Sequence, residues 1–248
     1  MRRTLIPIVT LALGSASAAP VATSTERAHA FERVYAEGRW LHGADGASSC
    51  ASGWSDVASG QGVAALQAVT SVVRAYKIRS IADVPCGDGC FAGALLSALR
   101  TNSTSSSVSY IGVDIVGSLV DRNRARLGGA SAQFVQADVA SGGASLPVAE
   151  LLFSRQMLQH LCTDDAMRFI RQAARSSARF VLLTTFTTDD DFVNTDIPCA
   201  SGGYRPQDLT KPPFSLPAPL RLFSEEYPVD QRVALGLWPV KALRRRLL

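Results

Sequence analysis

An apolar strand that ends in an acid runs straight into a glycine turn at Ile81-Ala82-Asp83-Val84-Pro85-Cys86-Gly87-Asp88-Gly89-Cys90-Phe91. Beyond it, Phe91, Leu95, Leu96 and Leu99 recur at helical spacing. Strand, glycine turn and helix in that order build a cofactor cradle, because a turn without side chains lets backbone approach a ligand closely. A dinucleotide-binding turn has the spacing G-x-G-x-x-G. Here Gly87 and Gly89 are followed by Gly93, one residue late, and a carboxylate, Asp83, leads the glycines.

Two further strands carry the same ending. Val108 to Asp114 is apolar and closes on an acid, with a helix expected from about Ser118 to Arg126. An acid at the tip of the second strand of a doubly wound nucleotide-binding sheet can accept both ribose hydroxyls. Asp114 lies 25 residues after Gly89, near the distance expected for either cofactor class. A third strand, Gln133 to Asp138, also ends in an acid. Any one of these acids can be a turn or cap residue; three at successive strand tips point to a nucleoside cofactor.

The acid-led turn resembles motif I of the class I S-adenosylmethionine-dependent methyltransferases, and the likeness continues along the chain. Phe31-Glu32-Arg33-Val34-Tyr35, Trp40, Gly43, Ser52-Gly53-Trp54-Ser55, Pro85-Cys86-Gly87-Asp88 and Tyr110 to Val116 are similar to one small, mostly uncharacterised subgroup. So are Ser154-Arg155, Leu158-Gln159-His160-Leu161, Leu183 to Phe186, Asn194, Asp196-Ile197, Tyr204-Arg205-Pro206, Pro212 to Pro217 and Leu235 to Trp238. The resemblance implies S-adenosylmethionine as cofactor, with Asp138 on the adenine amino group. It implies contacts from Asp83, Pro85, Cys86, Gly87, Asp88, Gly89, Asp114, Ile115, Asp138, Val139, Ser154 and Arg155. The chain departs from the subgroup at Glu150, where Asp is usual, and at Arg155-Gln156, where an Arg-Asp pair is usual. Its early Ser/Gly segment also has one glycine fewer. Two rivals follow: an NAD(P)-dependent oxidoreductase, and a methyltransferase-like binding protein without catalysis, suggested by Gln156.

The expected architecture is an α/β, doubly wound Rossmann-like sheet, mostly parallel with an antiparallel edge strand from Val233 to Trp238. N-terminal helices precede it. Residues 1–18 read as a leader and 19–248 as one methyltransferase domain; 248 residues with 47% hydrophobic content suffice for a single core. Val63, Leu66, Val69, Val73 and Tyr76 form a helical stripe ahead of the first strand, followed by three strand–helix units. Leu151 to Ser154 is a fourth strand leading into a helix that starts at Thr163-Asp164-Asp165 and turns Met167, Ile170 and Ala174 inward. Phe180 to Phe186 is a fully apolar strand, as a buried parallel sheet requires. Residues 187–231, rich in Asp, Gly and Pro, read as a lid over the acceptor.

Methyl transfer from a sulfonium needs alignment, exclusion of water and, for a protonated acceptor, a base. Of the histidines, His29 and His42 lie early, while His160 follows the fourth strand and is the candidate base. Arg155 is a second catalytic candidate, binding an acidic substrate or pairing with Glu150. Asn194, Asp196 and Arg205 are candidate acceptor contacts. The acceptor expected is a small molecule or a protein side chain.

The net charge of +4 is modest, and Lys241, Arg244, Arg245 and Arg246 form a basic tail without interleaved aromatics, read as a solvated terminus. No nucleic-acid partner is expected. Met1-Arg2-Arg3, the apolar run from Leu5 and Ala16-Ser17-Ala18 read as a secretory signal peptide, too short for a membrane span. With no acid before Glu26, an organelle transit peptide is the alternative. The five cysteines, Cys50, Cys86, Cys90, Cys162 and Cys199, do not decide the compartment, and without a nearby histidine they argue against zinc. Asn102-Ser103-Thr104 is a glycosylation sequon for an exported chain.

Overall fold

A computed structural model describes residues 22–41, 50–52, 57, 60–101, 108–143, 145–225 and 232–248. The leader, His42, Gly43, Gly53-Trp54-Ser55, the Asn102 sequon and the last six residues of the lid segment lie outside the described residues.

Alternation of buried side chains on the central strands sets the layers. On β1 (Ser80–Asp83), Ile81 joins one apolar cluster and Ala82 the other; on β4 (Leu151–Ser154), Leu151 and Phe153 face opposite to Leu152. Period-two exposure to two cores places helices on both faces of the sheet. One face is covered by α2 (Gly60–Tyr76), α3 (Cys90–Thr101) and α4 (Gly117–Leu127). The other is covered by α5 (Thr163–Arg175) and α6 (Val240–Leu247). The sheet runs β3-β2-β1-β4-β5-β7-β6, where β2 is Ser109–Asp114, β3 Ala132–Gln136, β5 Phe180–Phe186, β6 Arg221–Ser224 and β7 Val233–Pro239. The five strands from β3 to β5 are parallel; β7 is antiparallel to both neighbours.

Several expectations are corrected. The strand from Val233 is not the edge, because β6, hidden inside the lid segment, pairs outside it. Only two of the three expected strand–helix units are complete: among the described residues β3 leads to β4 without a helix. The inward face of α2 is Ala65, Ala68, Val69, Val72 and Val73, while Val63 is exposed. The basic tail is a helix packed through Val240 and Leu243, on which Lys241, Arg244, Arg245 and Arg246 are exposed as expected while Arg244 also donates to the carbonyls of Ala174 and Ser176 at the end of α5. No described helix is long and apolar enough to cross a membrane.

The helix α1 (Ser24–Ala36) begins with a reciprocal cap: Thr23 Oγ1 accepts from the Glu26 amide and Glu26 returns a carboxylate to the Thr23 amide. Buried Arg27 then ties it to Asp138 beyond β3 at 2.8 Å and to Asp165 on α5 at 3.2 Å.

Candidate functional site

In a doubly wound sheet the ligand crevice opens at the carboxyl ends of the strands where the order reverses, here between β1 and β4. A cavity of about 400 Å³ lies there, within the range of small-molecule sites. The glycine turn and the strand tips form its floor, α1 one wall, and the segment after β4 with Tyr204 of the lid another.

The turn is braced from every side. Gly87 has φ +55°, and its amide donates to Asp114 Oδ2 at 2.9 Å. A Cβ there would meet Ser52 Oγ at 2.5 Å, so only glycine fits. The Asp88 amide donates to the same Ser52 Oγ, which also bonds the Tyr35 hydroxyl. Asp88 accepts from the amides of Ser52 and Cys90, and Asn123 of α4 donates to the Gly87 carbonyl at 2.8 Å. A disulfide between Cys50 and Cys90 fastens the segment carrying Ser52 to the start of α3.

Asp114 borders the cavity with its oxygens oriented by the amides of Gly87 and Val116. Burial raises its pKa to about 6, against those backbone bonds. Asp138 also borders the cavity, held by Arg27 and by the Ala140 amide. Asp83 sits beneath the floor rather than on it: Tyr110 donates to its carboxyl at 2.6 Å, and burial pushes its pKa to about 7.

Of the residues assigned to cofactor or catalysis, Pro85, Cys86, Gly87, Asp114, Ile115, Asp138, Val139, Arg155 and His160 line the cavity. Asp83, Asp88, Gly89 and Ser154 do not; Asp88 and Gly89 shape the turn from behind. The Cys86 thiol is free and buried, and burial raises its pKa, which keeps it protonated.

Arg155 is paired, though not with Glu150. Its Nε donates to Glu225 Oε1 at 2.5 Å, and both are buried; Glu150 instead serves Arg179 and the Arg79 amide. Gln156 lines the cavity in the left-handed region at φ 54°, its amide donating to Thr184 Oγ1. Such backbone strain in a non-glycine residue concentrates at functional sites.

His160 closes a 3-10 turn (Leu158–His160) after β4. Its Nδ1 lies 2.8 Å from the Gly203 carbonyl, which only accepts, so Nδ1 carries the proton and Nε2 the lone pair. Burial lowers its pKa to about 4, so the ring is neutral at ordinary pH. Its ring lies 4.6 Å from Trp40 and 5.5 Å from Tyr204, centroid to centroid.

The three lid residues assigned to the acceptor are turned to other uses. Asn194 bonds the backbone of Asp208 and Pro212; Asp196 accepts from the Thr163 amide at the start of α5; Arg205 donates to the Leu161 carbonyl and Thr163 Oγ1. A disulfide, Cys162–Cys199, fastens the lid at the same helix start. The wall residues Arg27, Phe31, Tyr35, Trp40 and Ser52 carry no functional signal in a linear reading, although all but Arg27 stand in the resemblance motifs.

No family model and no curated protein matches the chain. Solved structures do. One is Burkholderia thailandensis 1,6-didemethyltoxoflavin N1-methyltransferase with S-adenosylhomocysteine bound: 15% identity over 89% of this chain and 92% of that one, TM-score 0.57. A second is the methyltransferase domain of bacterial CtHen1: 14% identity, 72% of this chain and 99% of that one, TM-score 0.52. A third is human N-acetylserotonin methyltransferase with S-adenosylmethionine: 12% identity, 72% of this chain and 51% of that one, TM-score 0.50. With a mostly parallel seven-stranded sheet flanked by helices and these matches, the chain has the fold of the class I S-adenosylmethionine-dependent methyltransferases.

Proposed function

We propose that the protein is an S-adenosylmethionine-dependent methyltransferase acting on a small-molecule acceptor, with His160 as general base. The observation that carries this reading is one cavity with a backbone-braced carboxylate, Asp114, on its floor and a neutral imidazole on its wall. The residues fit the cofactor: Asp114 can accept a pair of ribose hydroxyls, the Gly87 turn leaves room for close backbone approach, and Asp138 retains acceptor capacity beside it. When bound, the cofactor supplies an electrophilic methyl group on a sulfonium, whose carbon–sulfur electron pair leaves with sulfur as a neutral thioether. His160 Nε2 receives the proton that the acceptor oxygen or nitrogen loses as its new bond to carbon forms. Gly203 fixes the tautomer, and the aromatic wall excludes water.

Calorimetry with S-adenosylhomocysteine and with NADH tests the cofactor class. Tighter binding of S-adenosylhomocysteine is expected; preference for NADH overturns the reading. His160→Gln should keep that affinity within about twofold and lower turnover at least a hundredfold once an acceptor is in hand.

We also propose that the chain works in an oxidising compartment of the secretory pathway, or in an organelle if the leader is a transit peptide. Two disulfides among the described residues support this. Mass spectrometry of alkylated protein from the native source reads both points, as the mature N-terminus and the thiol count; five free thiols would exclude it.

A further inference from the structure

The cavity has two chemically distinct linings, and their contrast bears on the acceptor. Around His160 the wall is aromatic and comes from two remote segments, Trp40 from the end of the α1 region and Tyr204 from the lid. Tyr35 extends the Trp40 side at a centroid distance of 5.3 Å. Charge is arranged differently. Among the described residues, the guanidiniums that line the cavity are those of Arg27 and Arg155, and each meets a carboxylate: Arg27 with half-buried Asp138 and buried Asp165, Arg155 with buried Glu225. An anionic acceptor would shed its hydration there and meet cations already neutralised. A cationic acceptor would face the positive sulfonium of the cofactor. An aliphatic polyol would leave its hydroxyls against ring faces, without partners.

Resting on the methyltransferase reading, we infer that the acceptor is an uncharged planar aromatic molecule carrying a hydroxyl or ring N–H. It is held against the faces of Trp40 and Tyr204 with that group at His160 Nε2. Aromatic pairs favour offset or tilted contact at centroid distances of about 4.5–7 Å, the spacing this wall already uses. Among the described residues the imidazole in the aromatic lining is His160, a proton acceptor at neutral pH where the tyrosine hydroxyls are not, so a polar edge on an otherwise apolar ring matches it. Trp40 and Tyr204 are then specificity residues, acting on the acceptor and not on the cofactor.

The test uses the full chain saturated with S-adenosylhomocysteine and titrated with three probes of one shape: 2-naphthol, 2-naphthoate and the saturated decahydro-2-naphthol. We expect 2-naphthol to bind at least tenfold more tightly than either of the others. Trp40→Leu and Tyr204→Leu, which keep apolar bulk but remove the ring face, should each weaken 2-naphthol at least threefold. S-adenosylhomocysteine affinity should stay within twofold in both. Equal or tighter binding of 2-naphthoate overturns the inference in favour of an anionic acceptor. Equal binding of the saturated ring, or indifference to both leucine variants, overturns the aromatic wall. Failure of all three probes on protein that still binds S-adenosylhomocysteine sinks the acceptor class and leaves the cofactor reading standing. Failure of S-adenosylhomocysteine itself removes both.

Discussion

The glycine-turn side and the lid side of the cavity use polar groups in opposite ways. On the turn side, backbone amides orient a carboxylate that still borders the cavity, as Gly87 and Val116 do for Asp114. On the lid side, Asn194, exposed Asp196, Arg205 and Glu225 bond other parts of the protein and fasten the segment, leaving the ring of Tyr204 to line the cavity. One side presents to the cavity a carboxylate oriented by backbone amides. The other presents the ring of Tyr204 to the cavity and uses its polar side chains for fastening. Variants of the lid polar groups should therefore lower stability, and variants of the turn carboxylate should lower affinity.

The largest break is expected at Glu225. Its carboxylate is fully buried against Arg155, and removing one partner of a buried pair costs about 3–5 kcal/mol. Glu225→Ala should show that loss in denaturant unfolding. The double variant Glu225→Leu/Arg155→Met should recover most of it, because apolar replacement of a buried pair is close to neutral. Loss of cofactor affinity without loss of stability would place this pair on the ligand side instead. Arg205→Ala comes next. It removes donors to the Leu161 carbonyl and to Thr163 beside the capping Asp196, worth about 1–3 kcal/mol. The melting temperature should fall while S-adenosylhomocysteine affinity stays within twofold. A change in that affinity at unchanged stability would make Arg205 a ligand contact.

The same contrast decides what was legible in the chain. Strand, acid, turn and helix lie within a dozen residues at Ile81–Phe91, and each feature has a local cause: apolar alternation, a glycine at positive φ, a helical stripe. The positions of Asp114 and Asp138 follow from two further apolar strands that run into acids. The partners of the lid's polar groups are not legible, because Asn, Asp and Arg in a loop look alike whether they face ligand or protein; only the position of Thr163 and Leu161, some 30 to 45 residues upstream, reveals which. Arg27 was hidden for the same reason, since its partners Asp138 and Asp165 are more than 100 residues away. The strand β6 is short and carries mostly exposed side chains, so it has no apolar run to announce it. Cysteine pairing is equally non-local: both disulfides join residues 37 to 40 apart across the ends of helices.

On the turn side, Asp114→Asn removes the charge while keeping one acceptor oxygen for the Gly87 or Val116 amide, at the cost of setting an NH2 group against the other. Losing the charge-assisted part of two hydrogen bonds should weaken S-adenosylhomocysteine by about tenfold, roughly 1.4 kcal/mol. Truncation to alanine is the poorer test, because it strands the Gly87 and Val116 amides and mixes stability with affinity. Full affinity in Asp114→Asn, with a normal melting transition, would reduce Asp114 to a turn brace and erase the contrast between the two sides.

The smallest effect is a dependence on pH whose sign separates binding from folding. Burial holds Asp114 at about 6 in the folded protein, above the usual carboxylate value of 3.8. Ribose hydroxyls donate to the ionised form, so protons compete with the ligand: affinity should fall about twofold between pH 7.5 and 6, and more steeply below. Stability moves the other way on account of this group. A raised carboxyl pKa means that the folded chain takes up the proton before the unfolded chain does, so its contribution grows as pH falls from above 6 toward 4. His160, held at about 4, opposes it, because the unfolded imidazole protonates first as pH drops through 6.5. Comparing wild type with Asp114→Asn isolates the carboxylate from that background. In the variant, the pH dependence of S-adenosylhomocysteine affinity over this window should flatten, and the wild type should gain stability relative to it as pH is lowered. An affinity profile that is flat in the wild type from pH 7.5 to 5.5 would show that the ligand does not bind the ionised carboxylate.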